Sequence, residues 1–170
     1  MKYDIDYFER TLYLNSCTAK EISNIRWNLV GQCKAKTVLD FGAGIPWFRV
    51  FRPAGVEVDT YDIGVAPQTG ITREKYDLIT FWDVLEHLED LSLANIMIRS
   101  SKWAAITVPI LPPGVLLHEW KHYKPGEHII TFTEQTIEDF FNKRGFKLVL
   151  KGHPECEIRT DIGSYLFKRK

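Results

Sequence analysis

The run Thr37-Val38-Leu39-Asp40-Phe41 passes directly into Gly42-Ala43-Gly44, and a second strand-like run, Glu57 to Tyr61, ends at Asp62, twenty residues after Gly42. The first run has the length and composition of a buried strand, and the glycines allow a turn too tight for side chains. A strand, a glycine turn and a helix start bring backbone N–H groups to a ligand's edge, while an acid ending the next strand can accept from two ribose hydroxyls. The spacing is that of a nucleoside-cofactor site. A dinucleotide fold calls for Gly-x-Gly-x-x-Gly, but the third glycine position here is Trp47, which argues against NAD or FAD. The competing reading is a strand–turn–helix whose glycines only permit the turn.

The rest of the chain alternates in the same way. Tyr76 to Trp82 and Trp103 to Val108 read as further buried strands, and Leu91 to Ser101 as a helix between them. A helix from Thr18 to about Val30 opens on a Thr18–Glu21 capping box, with Ile22, Ile25 and Leu29 on one face. Another follows Thr133, with Phe132 and Ile137 placed for a hydrophobic staple, Ile137, Phe140 and Phe141 as its buried face, and Lys143-Arg144-Gly145 closing it. Phe146 to Leu150 and Ser164 to Phe167 predict a terminal antiparallel hairpin. The pattern is that of an α/β fold with a mostly parallel sheet and an antiparallel C-terminal strand. At 170 residues, a single domain over 1–170 is expected. Within it, 1–35 forms an N-terminal helical cover, and the proline- and glycine-rich connection 109–131 forms a substrate-side loop. Tyr3, Tyr7, Phe8 and Tyr13 in the cover suit either a lid over the cofactor or packing on the sheet edge.

Charge and cysteine content narrow the partners. Lys plus Arg and Asp plus Glu are 22 each, so no net field draws the chain to nucleic acid or to an anionic membrane, and neither is an expected partner. Three cysteines, odd in number and without a Cys-x-x-Cys pair, suggest neither a disulfide framework nor a zinc knuckle, and fit a cytoplasmic protein. The N-terminus has no signal-peptide pattern, and no apolar stretch approaches the roughly 20 residues of a membrane helix.

VLDFGAG (38–44), VEVDTYDIG (56–64), YDLITFWDVLEHLEDL (76–91) and PGEHIITFTEQTIEDFFNKRGFKLV (125–149) together resemble successive motifs of the class I S-adenosylmethionine-dependent methyltransferases. The last two are similar to the branch with Glu-His after the fourth motif, which includes the ubiquinone-pathway O-methyltransferases. The resemblance implies a Rossmann-like methyltransferase sheet with S-adenosylmethionine as cofactor. It assigns Asp40, Gly42, Ala43 and Gly44 to the methionyl part, Asp62 to the ribose, Ile63 to the adenine, and Phe81, Trp82 and Asp83 to the strand end near the transferable methyl. Two departures stand out. Pro46 occupies a position where the family often has glycine, which stiffens the loop and removes one N–H. Only 13 residues separate Asp62 from Tyr76, so the strand beyond the second is expected to be missing and the adenine pocket more open.

Two histidine groupings compete for chemistry. In Asp83-x-x-Glu86-His87 the three residues would share one face if a helix starts there, and His128 would join them from the long loop. The resemblance implies that Asp83, Glu86, His87 and His128 could hold a divalent metal, which would lower the pKa of an acceptor hydroxyl. Without a metal, His87 or His128 serves as base, and Glu86, His87 and His128 are the catalytic candidates. The plainer alternative is a helix-capping Asp83 and a salt-linked Glu86–His87 pair. The second grouping, His118-Glu119-Trp120-Lys121-His122, matches the zinc-hydrolase pattern His-Glu-x-x-His. Pro112-Pro113-Gly114 and Pro125-Gly126 bracket it too closely for the helix that chemistry needs, so His118, Glu119 and His122 form a remote alternative. The expected activity is methyl transfer to an oxygen or nitrogen of a small or medium-sized acceptor. The other-class reading is a methyltransferase-fold protein that binds without catalysing.

Overall fold

The computed structural model describes residues 16–64 and 70–170. Helix α1 (Ser16–Val30) precedes strand β1 (Thr37–Phe41), a single helical turn α2 (Trp47–Val50), β2 (Glu57–Tyr61) and β3 (Tyr76–Trp82). Helix α3 (Ser92–Arg99), β4 (Ser101–Pro109), helix α4 (Glu134–Asn142), β5 (Phe146–Gly152) and β6 (Ile162–Arg169) follow. The strands form one sheet in the order β2-β1-β3-β4-β6-β5. The first four are parallel, and β6 runs antiparallel between β4 and the edge strand β5. The expected C-terminal hairpin is therefore present, with its second strand inserted against the parallel sheet.

Strand alternation distributes the core to both faces. Leu39, Ile79, Phe81, Ala104 and Ile106 pack with Ala94 and Ile98 of α3 and Ile137 and Phe141 of α4. Val38, Val58, Leu78, Trp82 and Ala105 pack on the opposite face with Leu29 and Val30 of α1 and Phe48 of α2. Phe141 lies fully buried and stacked on Phe167 at 4.2 Å, and full burial of such a ring contributes about 1.5–3 kcal/mol. The turn α2 has Pro46 at its N-cap and ends before Pro53, so little helix follows the glycine turn. Helix α1 covers the space instead. Trp27 stacks on Phe48 at 4.0 Å and donates its indole N–H to the Phe48 carbonyl at 3.0 Å.

Among the described residues no strand lies beyond β2, as the short Asp62–Tyr76 interval predicts. The chain returns under a polar anchor. Asp59 accepts from the Tyr76 hydroxyl at 2.7 Å, from Arg73 at 2.8 Å and from Thr72, while Gly70 donates to the Thr60 carbonyl. Burial acts to raise the Asp59 carboxyl pKa, but these donors outweigh it and hold it below the ordinary value.

Two helix starts differ from the sequence pattern in instructive ways. Helix α1 begins at Ser16, so Thr18 sits inside the first turn rather than at the N-cap. Its buried face runs through Ala19, Ile22, Ser23, Arg26, Leu29 and Val30, leaving Ile25 only partly covered. Helix α4 starts as expected at Thr133, but the reciprocal partner of its capping box is Thr136 in place of Glu or Gln. The aromatic residues Tyr3, Tyr7, Phe8 and Tyr13 lie outside the described residues.

Candidate functional site

A cavity of about 690 Å³ opens at the carboxyl ends of β1, β2 and β3, the position open α/β sheets use for ligands. Asp40, Gly42, Ala43, Asp62, Ile63, Trp82 and Asp83 line it, as do Glu86, His87 and His128. Phe81 does not. It is fully buried on the opposite face, 5.3 Å from Phe41, because alternation sends adjacent strand residues to opposite sides. Of the Phe81–Trp82 pair assigned to the cofactor, Trp82 alone reaches the cavity.

The glycine turn is closed by its own neighbours. Gly42 and Ala43 donate to the Tyr61 carbonyl at 2.7 and 3.2 Å, and Gly44 donates to Asp62 Oδ2 at 2.9 Å. Asp62 Oδ1 accepts from Gly64 at 2.7 Å. The turn's amides thus hold β1 to the end of β2 rather than pointing at a ligand, and Asp62 organises the loop in addition to facing the cavity. Gly42 has φ +75°, and a Cβ there would lie 2.5 Å from a Val84 methyl carbon, so the turn requires glycine at this position. Ile63, which the family pattern matches to the adenine, lines the cavity and is 86% exposed.

Asp40 lies beneath the turn, 1% exposed, and accepts from the Thr80 hydroxyl at 2.7 Å. Burial pushes its pKa up to about 6, against the Thr80 bond and the Arg26 charge, which pull it down. A carboxyl with a folded pKa above its unfolded one stabilises only in its protonated form, so its ionisation weakens the fold as pH climbs from about 4 past 6. Asp40→Asn is expected to stabilise the free protein by up to about 3 kcal/mol at pH 7.5, and by almost nothing at pH 4. Urea unfolding at the two pH values checks this; a larger gain at pH 4 would refute it.

Glu86, His87 and His128 converge. Each offers one ligand atom, all within 4.8 Å of one another, and among the described residues they form the one such group of His, Cys, Asp and Glu. The main chain brings them together. After β3 the chain makes a 3-10 turn over Leu85–His87, and Ile129 and Ile130 donate to the Glu86 carbonyl at 2.7 and 3.0 Å. The Glu127 carbonyl takes His87 Nδ1 at 2.9 Å. A carbonyl only accepts, so in the neutral ring Nδ1 carries the proton and Nε2 is left with the lone pair. The imidazoles of His87 and His128 meet edge to face with centroids 4.7 Å apart.

Burial lowers both histidine pKa values, His128 to about 4 with the neighbouring His87 assisting, so both rings are neutral at pH 7. Glu86 is 2% exposed, and among the described residues neither carboxyl oxygen has a hydrogen-bond partner, although Oε1 lies 3.9 Å from His87 Nε2, the one contact of the salt-linked pair expected as the plainer alternative. Burial, then the charge of Asp83, drives its pKa well above the ordinary value. An orphaned buried carboxyl beside two neutral imidazoles is a donor set that suits a divalent cation.

Asp83 stands apart from this group. Its backbone is left-handed, φ +59°, so no helix begins there and the shared-face geometry expected for Asp83, Glu86 and His87 does not form. Its Oδ2 instead accepts from Arg26 at 3.1 Å and Arg159 at 2.6 Å. Fully buried Glu155 joins the same two guanidiniums, at 2.9 Å to each, and Arg26 lies 4.9 Å over the Trp82 ring. This ionic clasp ties α1 and the β5–β6 connection to the end of β3. Sequence reading missed Arg26, Glu155 and Arg159. The available signal was the place of Arg26 on a helix face otherwise made of apolar residues and the small Ser23.

The connection 109–131 contributes Lys121, His122, Lys124, Glu127 and His128 to the cavity wall. The His-Glu-x-x-His match within it does not form a metal pair. Its only helical piece is a 3-10 turn over Leu117–Glu119; His118 is exposed and His122 Nε2 lies 3.2 Å from the Thr160 carbonyl.

Comparison with known proteins agrees with this fold. The chain resembles the structure of magnesium protoporphyrin IX methyltransferase from Synechocystis with bound SAH: TM-score 0.62, 16% identity, covering 91% of this chain and 83% of that one. It also resembles 1,6-didemethyltoxoflavin-N1-methyltransferase from Burkholderia thailandensis, solved with its acceptor and S-adenosylhomocysteine: TM-score 0.67, 14% identity, coverage 96% and 83%. The methyltransferase domain of bacterial CtHen1-C aligns with TM-score 0.59 and 14% identity over 88% of this chain and 97% of that one. No curated protein sequence matches it. No helix among the described residues is long and apolar enough to cross a membrane. A family profile described as a methyltransferase domain matches residues 20–151, and with the sheet order and the cavity at its strand ends this makes the chain a member of that methyltransferase family, with the class I fold.

Proposed function

We propose that this protein transfers the methyl group of S-adenosylmethionine to an oxygen or nitrogen of a small or medium-sized acceptor, in the cytoplasm. The observation that carries the reading is one cavity lined both by the glycine turn with Asp62 and by the converging Glu86, His87 and His128. The two structures described with a bound methyl-transfer by-product have acceptors of this size class in their names, which supports the same cofactor and acceptor class here.

The chemistry is an in-line displacement. A lone pair on the acceptor forms the new bond to the methyl carbon, the carbon–sulfur bond breaks, and its electron pair stays on sulfur. Proximity and alignment supply most of the acceleration. The acceptor's proton needs a base, and neutral His87, with its Nε2 lone pair, or neutral His128 provides one. Should a divalent cation bind Glu86, His87 and His128, it would lower the pKa of an acceptor hydroxyl.

Titration calorimetry with S-adenosylhomocysteine tests the reading first, followed by transfer of labelled methyl into a panel of phenols, carboxylic acids and amines. Absence of binding at millimolar cofactor product would favour a fold that no longer catalyses. Asp62→Ala is expected to weaken cofactor binding at least about tenfold while the protein stays folded. Its carboxylate both faces the ligand space and fixes Gly44, so the loss combines a ligand bond with a loosened turn. Unchanged affinity would place the cofactor elsewhere.

A further inference from the structure

We propose that Glu127, and not Asp83, is the fourth protein group of a divalent-cation site built on Glu86, His87 and His128. The proposal rests on the methyltransferase reading only for the use of the site, not for its existence. The core of the site is the convergence of three ligand atoms within 4.8 Å and the buried Glu86 carboxyl, whose oxygens accept no hydrogen bond among the described residues and whose Oε1 faces His87 Nε2 at 3.9 Å. Transition-metal bonds to nitrogen and oxygen are about 2.0–2.2 Å, so opposite ligands sit about 4 Å apart, and the group needs only a small contraction.

Asp83 is where the sequence pattern would look for the fourth group. Its left-handed backbone turns it from the group, and its bonds to Arg26 and Arg159 commit Oδ2 to the clasp. Glu127 precedes His128 in the chain, and its carboxylate Oε1 lies 4.0 Å from His128 Nε2. Its own main-chain carbonyl orients His87, while its carboxylate lies outside the group of atoms mutually within 4.8 Å and would turn inward past His128 to join the ion. The carboxylate also meets Lys124 at 3.0 Å, an ion pair whose lysine side chain is half exposed. Two imidazoles and two carboxylates form a set that favours a transition ion over calcium or magnesium.

Cobalt(II) is a suitable probe, because its visible spectrum reports imidazole ligation without reference to activity. Chelator-stripped protein, without cofactor or acceptor, is titrated with cobalt chloride by calorimetry and absorbance, alongside a separate titration with S-adenosylhomocysteine. The wild type is expected to bind one ion. Glu86→Gln should lose at least about a hundredfold in affinity and Glu127→Gln at least about tenfold, with Asp83→Asn and Glu155→Gln each within about threefold of wild type. Wild-type affinity in Glu127→Gln overturns the proposal. So does a tenfold loss in Asp83→Asn that Glu155→Gln, which disturbs the same clasp, does not share. Glu127 lies outside the clasp, so its variant decides the matter alone if Asp83→Asn fails to fold. No cobalt binding by a wild type that binds S-adenosylhomocysteine removes the cation site and leaves the methyltransferase reading standing. Cobalt binding as described without S-adenosylhomocysteine binding does the reverse.

Discussion

His87→Ala is expected to lower turnover on an identified acceptor by about 10²- to 10⁴-fold while changing S-adenosylhomocysteine affinity by less than about threefold. The split follows from position. His87 sits on the turn after β3, with its ring against His128 and Glu86, while the loop that organises the cofactor end is held by Tyr61 and Asp62. On the proposed function the work of this ring falls in the transfer step, whether it accepts the acceptor's proton or ligates a cation. Full turnover in the variant, with correct folding shown by its melting curve, would make the group structural.

The pH dependence refines the same expectation. An unperturbed histidine would bring activity up around pH 6.5. Burial lowers both rings here, His128 to about 4, and a base must be neutral to act. Activity limited by these rings therefore reaches its plateau at lower pH, with the rise below 6.5. A midpoint at or above 7 would point to the acceptor's own ionisation, or to another base.

Much of this site was legible in the sequence because it is local. The glycine turn, Asp62 and the Glu86-His87 pair each lie within a few residues of a strand end, where periodicity and turn chemistry determine position. His128 was reachable only through the family pattern, since the bonds that bring it in are main-chain contacts from Ile129 and Ile130 to Glu86, about forty residues away. Phe81 differs from its neighbour Trp82 because its ring is fully buried in the core on the other face, and a short motif does not show which of the two packs inward. Asp83 was a different problem. Its spacing to Glu86 and His87 suits a helix, but its backbone is left-handed and its partners, Arg26 and Arg159, lie 57 and 76 residues away. A short motif carries no trace of an ion pair that distant.

That ion pair should be among the costliest contacts in the molecule to break. Glu155→Ala is expected to destabilise the protein by about 3–5 kcal/mol, a large share of the 5–15 kcal/mol that a domain usually has. Glu155 is fully buried and bonds Arg26 and Arg159; its removal takes from two guanidiniums, each mostly shielded from water, the buried carboxylate that bonds both. The loss measures the stranded charge more than the worth of the bonds. Replacing Arg26 and Glu155 together with methionine should therefore cost much less than either single change. Urea unfolding of the two single variants and the double variant checks this. A cost below about 1 kcal/mol for Glu155→Ala would mean that water reaches the guanidiniums once the carboxylate is gone. The clasp joins α1, the end of β3 and the β5–β6 connection, segments distant in sequence that wall one end of the cavity. Its loss should therefore also loosen the acceptor end, raising KM for the acceptor more than the dissociation constant of S-adenosylhomocysteine.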